Sequence, residues 1–312
     1  MINAPTEAIT ITQKVEVDKE LQSQIRHMIG YTHAGNFHAD DVFSAALLKK
    51  IYIDIEFKRV FKAPTELRDN EIVFDIGGGE FDHHQAGAEV RPNGIKYAAF
   101  GLLWRAFGKA FFDTDDGVQM FDEFFVQPID AQDNGQADPH TIPILSLSSG
   151  IGLFNPVWDA ESSSSDSAFG AAVIVAGIFL ERGIETIQSK LRARDIVYKA
   201  VIGAGAHGRI MVLGRFVPWQ EWLFEAGPIA DDILYVVFPS NRGGYSIQTV
   251  PVAPGSFQGR KMLPKEWWGK TPAELKELTG IETLRFVHAN GFLAATDTLE
   301  DAMAVAKLAV NA

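Results

Sequence analysis

Residues 75 to 85 read D-I-G-G-G-E-F-D-H-H-Q, and the extended residues Glu71, Ile72, Val73 and Phe74 run directly into Asp75. A strand that ends in an aspartate sets the carboxylate at the carboxyl edge of a sheet, where open α/β folds bind their ligands. Gly77, Gly78 and Gly79 allow backbone angles and close approaches that a side chain forbids. Adjacent His83 and His84 point to opposite faces of a regular strand, so they reach one site only through irregular backbone, which those glycines supply. The segment therefore predicts half of a metal site, with one imidazole binding metal and the other facing a substrate.

The other half lies upstream. Met28 to Tyr31 lead as a strand into Thr32 and His33, and a helix begins near Asp40, with Val42, Phe43, Ala46, Leu47 and Ile51 on its apolar face. The loop between them, T-H-A-G-N-F-H-A-D-D, sets His33 at the strand end and His38, Asp40 and Asp41 at the helix start. First-turn carboxylates also complement the helix dipole, so at least one of the two aspartates is assigned to capping. A second strand is expected at Ile55 to Phe61, and the third carries Asp75. Alternating strands and helices imply a parallel sheet with right-handed crossovers, which gathers these residues on one edge.

Downstream, Tyr97 to Phe107 reads as a buried helix, with Arg91 and Lys96 before it free to face a phosphate. In V-Q-P-I-D-A-Q-D-N-G, residues 126 to 135, Asp130 follows Ile129 as Asp75 follows Phe74, and is expected as the last ligand; Asp133 and Asn134 either support it or form a turn. A surface loop is expected from Gly150 to Ser167, then two helices at Ser167 to Glu181 and Ile184 to Ile202, ended by Gly203-Ala204-Gly205. Beyond it, strands at Ile233 to Phe238, Tyr245 to Val250 and Thr283 to Val287, with helices at Pro272 to Leu278 and Leu299 to Val310, describe a smaller α/β unit. The expected organisation is a first domain at 28–205 and a second at 206–312.

Composition narrows the function. A chain of 312 residues with 46% apolar content can fill two cores. A net charge of −12 argues against a surface built to hold duplex nucleic acid, and any phosphate substrate must be held locally. With no cysteine, disulfides, thiolate nucleophiles and iron–sulfur clusters are excluded, and a metal needs nitrogen and oxygen ligands. Residues 1 to 27 carry acidic residues and no apolar signal core, and Ala168 to Leu180 is too short to span a bilayer. A cytoplasmic protein without membrane association is expected, and its oligomeric state is left open.

The set His33, His38, Asp40, Asp75, His83 and Asp130 suits two divalent ions, roughly three ligands each, with Asp75 shared between them. Mixed imidazole and carboxylate donors favour Mn²⁺, then Mg²⁺, over an all-oxygen site. Such a pair neutralises charge on phosphoryl oxygens and acidifies water, so no protein nucleophile is needed. His84 is then placed to bind or protonate the phosphate, and Asp82 to orient a histidine. His27 and His140 lack this context.

T-H-A-G-N-F-H-A-D-D, D-I-G-G-G-E-F-D-H-H-Q and I-D-A-Q-D-N-G, in this order, resemble the motifs of the Myg (melanocyte proliferating gene) family, a branch of the DHH phosphoesterase superfamily. The resemblance continues through R-P-N-G-I-K at 91–96, R-K-M-L-P-K-E-W at 260–267 and F-V-H-A-N-G-F at 286–292. It implies a DHH-type parallel-sheet catalytic domain followed by a smaller α/β (α+β) domain, two Mn²⁺ or Mg²⁺ ions, and a 3′ to 5′ exonuclease acting on single-stranded RNA. By the same resemblance the six residues named above match metal positions and His84 the phosphate-facing histidine, with Lys96, Arg260 and His288 as substrate contacts. The wider superfamily usually has an aspartate, one residue displaced, where this chain has His38. His288 has a second reading, pinning Asn290 and Gly291 in a turn. Two alternatives stand beside the exonuclease: a phosphohydrolase of short oligonucleotides, cyclic nucleotides or pyrophosphate, and a non-catalytic protein that keeps its metals for structure.

Overall fold

The computed structural model describes residues 27–85, 87–136, 145–159, 165–205, 207–256 and 258–312. The expectations for residues 1–26 and for His140 lie outside them. Two compact units divide the chain, the first ending at Glu185 and the second running from Thr186 to Ala312. The division falls inside a helix, 20 residues before the 205/206 boundary expected from the glycines.

In the first unit, β1 (Met28–His33) lies between β2 (Ile55–Val60) and β3 (Glu71–Val73), parallel to both. Ile29 pairs with Glu71 and Tyr31 with Val73, so His33 and Asp75, each two residues further along, emerge at the same edge of the sheet. Helix α1 (Ala39–Ile51) follows β1, and its residues from Ala39 to Leu48 are all buried. Around it pack α2 (Ala99–Phe107), α4 (Gln127–Asp133) and α5 (Leu147–Gly152), while α3 (Asp115–Phe121) leads into the turn before α4. Phenylalanine dominates this core: Phe43 meets Phe100 at 5.5 Å and Phe125 at 5.4 Å, and Trp104 meets Phe121 at 4.4 Å. Aromatic pairs add specific geometry to the burial of large apolar surfaces.

Two expectations are corrected here. The stretch around Asp130 is helical: a π-helical turn (Asp122–Val126) leads into α4, and Pro128 sits in its first turn, where a missing N–H costs little. The two helices expected after residue 167 are one, α6 (Ser165–Ala204). Gly183, which suggested a break, is continuous helix, and a Cβ there would lie 3.0 Å from Phe121 and 3.1 Å from Phe125. Close packing against the aromatic core gives the glycine its role. By length and composition alone α6 could cross a bilayer, a test that core helices of soluble proteins also pass.

The second unit holds a five-stranded sheet in the order β4-β5-β6-β8-β7, from β4 (Ile210–Val212), β5 (Tyr235–Pro239), β6 (Tyr245–Thr249), β7 (Phe286–Val287) and β8 (Leu293–Thr296). Only β4 and β5 are parallel. A short α7 (Gln220–Glu225) precedes the sheet's centre, α8 (Pro272–Thr279) starts on a Thr271–Glu274 capping box, and α9 (Leu299–Asn311) closes the chain. Ala302, Val305, Ala306 and Ala309 of α9 join Tyr235, Val237, Ile247 and Leu275 in the core. The sequence reading had missed β4, α7 and β8, all six residues or shorter.

Candidate metal centre

Asp75 is the hub, and its backbone is unusual. It has φ of 58°, a left-handed angle that an ordinary side chain adopts only when its surroundings enforce it. The Asp75 N–H donates to the Phe81 carbonyl at 2.9 Å, closing the glycine loop on itself and bringing Asp82, His83 and His84 back beside Asp75. Gly77 is required for the closure: at φ of 92°, a Cβ there would stand 2.6 Å from that of Ala63.

The two oxygens of Asp75 face two different sets of groups. Oδ2 lies 3.2 Å from His33 Nε2, which is also 3.1 Å from Asp41 Oδ2. Oδ1 lies 3.2 Å from His83 Nε2 and 3.6 Å from His84 Nδ1. His83 Nε2 in turn stands 3.3 Å from Asp133 Oδ2 and 3.7 Å from Asp40 Oδ2. Three triads have donor atoms within 4.8 Å of one another: Asp75, His83 and His84; His33, Asp41 and Asp75; His38, Asp40 and Asp133.

Charge and burial make the arrangement costly without a cation. Asp40, Asp41 and Asp75 are 0%, 0% and 2% exposed, yet both oxygens of Asp40 lack a hydrogen-bond partner, and Asp41 Oδ2, Asp75 Oδ1 and His83 Nε2 meet only the facing imidazoles and carboxylates of the cluster, in poorly aligned contacts of 3.1 to 3.7 Å. Buried carboxylates are ordinarily paired or metal-bound. Burial, then the neighbouring charges of Asp75, Asp133 and Asp41, pushes the Asp40 carboxyl well above the usual carboxylate range. His33 is raised to about 10, chiefly by its hydrogen bonds to Asp41 and Asp75. Burial pushes the Asp75 carboxyl up, but His33 and His83 outweigh it and hold the group at about 2. Protons on imidazole thus stand where a cation fits, and oxygen and nitrogen donors so poorly partnered are the ligands a divalent ion requires. His33 Nδ1 lies 3.2 Å from the Ala34 carbonyl, a bond that directs the lone pair of Nε2 into the site.

Asp82 fixes His84. Its Oδ2 accepts from the Gly78 N–H at 2.7 Å, and its Oδ1 from the His84 N–H at 3.1 Å and from His84 Nδ1 at 2.8 Å. The His84 ring, 62% exposed, keeps Nε2 for another partner. His33, His38, Asp75, Ile76, Gly77, Asp82 and His84 line a cleft of about 330 Å³.

Three sequence expectations, Asp130, Arg91 and Arg260, are relocated. Asp130 is not in the cluster: its Oδ1 accepts from the Gly101 N–H at 3.1 Å, and its Oδ2 pairs with Arg91 at 2.8 Å. Burial pushes its carboxyl up to about 7 against the pull of Arg91. Arg91 is likewise no phosphate contact, since it is buried, forks onto Asp122 at 2.8 and 2.9 Å, and stacks 3.9 Å over Tyr97. In place of Asp130, helix α4 presents Asp133 from its last residue. Arg260 spends its guanidinium on the carbonyls of Ala230, Asp231 and Ile233 at 2.6 to 3.0 Å, which binds its own unit together. Lys96 is exposed, and its backbone N–H donates to Gln136 at 2.8 Å. His288 Nδ1 accepts from the Asn290 N–H at 3.0 Å, the turn-pinning geometry, while its ring lies 4.3 Å from that of Phe292. Asp41 and Asp133 join the cluster, through His33 and His83 respectively, and Asp133 is legible only when residues 127 to 133 are read as helix.

A family model described as MYG1 exonuclease, uncharacterised protein family UPF0160, matches residues 29–310. The chain is 31% identical over 318 residues to MYG1 exonuclease of Homo sapiens, covering 88% of this chain and 84% of that one. It is 30% identical over 314 residues to MYG1 protein of Dictyostelium discoideum, covering 90% and 95% respectively. Among solved structures, RecJ in complex with Mn²⁺ from Thermus thermophilus is matched over 94% of this chain and 54% of that one, at 12% identity and a TM-score of 0.26, a likeness too slight to argue from.

Proposed function

The chain belongs to the MYG1 exonuclease family, and from that premise we propose that it is a metal-dependent 3′ to 5′ exonuclease acting on single-stranded RNA through two divalent ions, with Mn²⁺ the better fit to its mixed donors. The observation that carries the reading is the split of the Asp75 carboxylate, one oxygen towards His33 and Asp41 and the other towards His83 and His84. A shared carboxylate between two donor groups is what a two-ion centre requires. The residues that would hold the ions are His33, Asp41 and Asp75 on one side, and Asp40, Asp133 and His83, with His38, on the other. When bound, the pair supplies neutralisation of the phosphoryl oxygens and an acidified water.

The remaining work falls to the protein. His84, oriented through Nδ1 by Asp82, offers Nε2 to the scissile phosphate; as the imidazolium, with Nδ1–H on Asp82, it can give the Nε2 proton to the departing 3′ oxygen and is left as the Nδ1–H neutral ring. Asp82 sets the tautomer and ring angle on which that role depends. The glycine loop contributes Ile76 and Gly77 to the cleft wall.

One observation favours a second reading. No lysine or arginine lines the described cleft of about 330 Å³, and the chain carries a net charge of −12. Both suit a small phosphate substrate, such as a short oligonucleotide, a cyclic nucleotide or pyrophosphate. A denaturing-gel time course separates the two, using 5′-labelled RNA and DNA oligomers of several lengths, protein stripped of metal and reconstituted with Mn²⁺, and an Asp75→Asn control. Shortening from the 3′ end that needs metal and Asp75 supports the exonuclease. Turnover confined to two or three nucleotides supports the small-substrate reading.

A further inference from the structure

His38 is the N-cap of α1, its N–H bonded to Asp41 Oδ1 at 3.0 Å, and the chain reaches it through the irregular residues 34 to 37. Those residues are gripped from two sides. Asn155 meets both backbone polar groups of Phe37: Oδ1 accepts from the Phe37 N–H at 2.9 Å, and Nδ2 donates to the Phe37 carbonyl at 2.8 Å. A primary amide is the side chain that offers donor and acceptor side by side, so this pair reproduces the bonding of a neighbouring strand. Nδ2 also donates to the Gly152 carbonyl at 3.2 Å, which ties Asn155 to the end of α5.

From β2, Arg59 reaches the same loop. Its Nη2 donates to the Gly35 carbonyl, and its Nη1 to Ser165 Oγ at 2.6 Å and Asp166 Oδ1 at 3.4 Å. The guanidinium lies 5.3 Å from the Phe37 ring and 5.0 Å from that of Phe169, which meet edge to face at 5.6 Å. Arg59 is only 2% exposed in its side chain and Phe37 1%. A buried guanidinium whose two Nη groups go to a carbonyl, a hydroxyl and a carboxylate, between two aromatic faces, is held by the protein and serves to position.

We infer that Asn155 and Arg59 are positioning residues for the metal centre, which act through Phe37 and Gly35 to set where His38 stands relative to Asp40 and Asp133. The inference rests on the metal-centre reading above. Loss of a group bonded to a ligand typically costs about 10- to 100-fold in metal affinity, and Asn155 and Arg59, which act on His38 through the preceding backbone, belong at the low end of that range.

Asn155→Asp is the informative change, because it keeps the shape while turning an acceptor towards the Phe37 carbonyl. Mn²⁺ affinity is measured by the electron paramagnetic resonance of free Mn²⁺, and folding by the melting temperature of the metal-free protein. The affinity is expected to fall about tenfold, with the melting temperature held within about 4 °C. Arg59→Lys should fall in the same direction, with Lys58→Ala, its exposed neighbour on β2, as the unchanged control. The double variant Asn155→Asp/His38→Ala should bind no more weakly than His38→Ala alone, since both act on one ligand. A loss under threefold in both Asn155→Asp and Arg59→Lys, or a loss that adds to that of His38→Ala, overturns the positioning role and leaves the centre standing. Should the wild type bind Mn²⁺ no better than Asp75→Asn, the metal-centre reading falls and the positioning role with it. If Asn155→Asp does not fold, Arg59→Lys with its His38→Ala double decides alone.

Discussion

At the scale of single residues, Asp75 carries more of this site than any other group. Asp75→Asn leaves a side chain of equal size but removes the charge both donor sets share. It should lower turnover at saturating Mn²⁺ by about a hundredfold or more, several kcal/mol of transition-state stabilisation. His84→Ala should cost between about 10² and 10⁴ in rate with metal binding intact. Asp82→Asn, which only misorients that ring, should cost about 10 to 100. Equal losses for Asp82 and His84 variants would mean that His84 has no direct part in the chemistry. His33 makes pH the simplest probe of the metal. Its imidazole is raised to about 10 in the metal-free fold, so at neutral pH a cation must displace a proton. Mn²⁺ affinity should therefore rise about tenfold per pH unit through the neutral range and level off as pH passes about 10. Metal-free stability should move the other way: the imidazolium contribution is fully present below the unfolded value of 6.5 and is lost as pH climbs through about 10. Calorimetric titrations in buffers of different ionisation enthalpy count the released protons, and a proton-independent affinity would contradict the assignment of His33.

At the scale of elements, α2 and α4 meet so closely that one glycine decides their packing. A Cβ on Gly101 would stand 1.9 Å from Asp130 Oδ2 and 2.6 Å from Arg91 Nη2. Glycine to alanine in a helix interior usually stabilises by about 0.5 to 1 kcal/mol. Here the sign should reverse, with Gly101→Ala losing about 1 to 3 kcal/mol as the buried Arg91–Asp130 pair is forced apart. A denaturant midpoint at or above that of the wild type would show that the pair can shift at no cost. This contact also explains why Asp130 and Asp133 were hard to tell apart in sequence. Three residues apart, they share a helix face, but Asp130 turns to the backbone of α2 while Asp133, at the helix end, reaches His83. Read as an extended segment ending in an aspartate, the same residues point to Asp130 instead. The analogy of Ile129–Asp130 with Phe74–Asp75 does not carry over, because residues 127 to 133 have the helical period.

At the scale of the whole molecule, the acidic balance is a statement about substrate affinity. The net charge is −12, and among the described residues no lysine or arginine lines the cleft, which sets a low expected number of phosphate contacts. Oligonucleotide binding should weaken only about tenfold or less between 50 and 200 mM salt, as for one or two phosphate contacts. A loss of a thousandfold, measured by fluorescence anisotropy, would require a basic channel. The amino-acid sequence by itself determined the α/β class, the parallel strands ending at His33 and Asp75, and the imidazole and carboxylate donor set. Each follows from short-range pattern: apolar runs fix the strands, and glycines free the loop that folds Asp82 to His84 back. Tertiary structure alone decided which aspartates belong to the centre, that Arg91 and Arg260 are spent on internal partners, and that Asn155 holds a loop more than a hundred residues away. The reason is physical. A carboxylate or guanidinium has the same intrinsic chemistry wherever it stands, and only the partner that reaches it first, across the fold, settles whether it is spent on packing or left for a ligand.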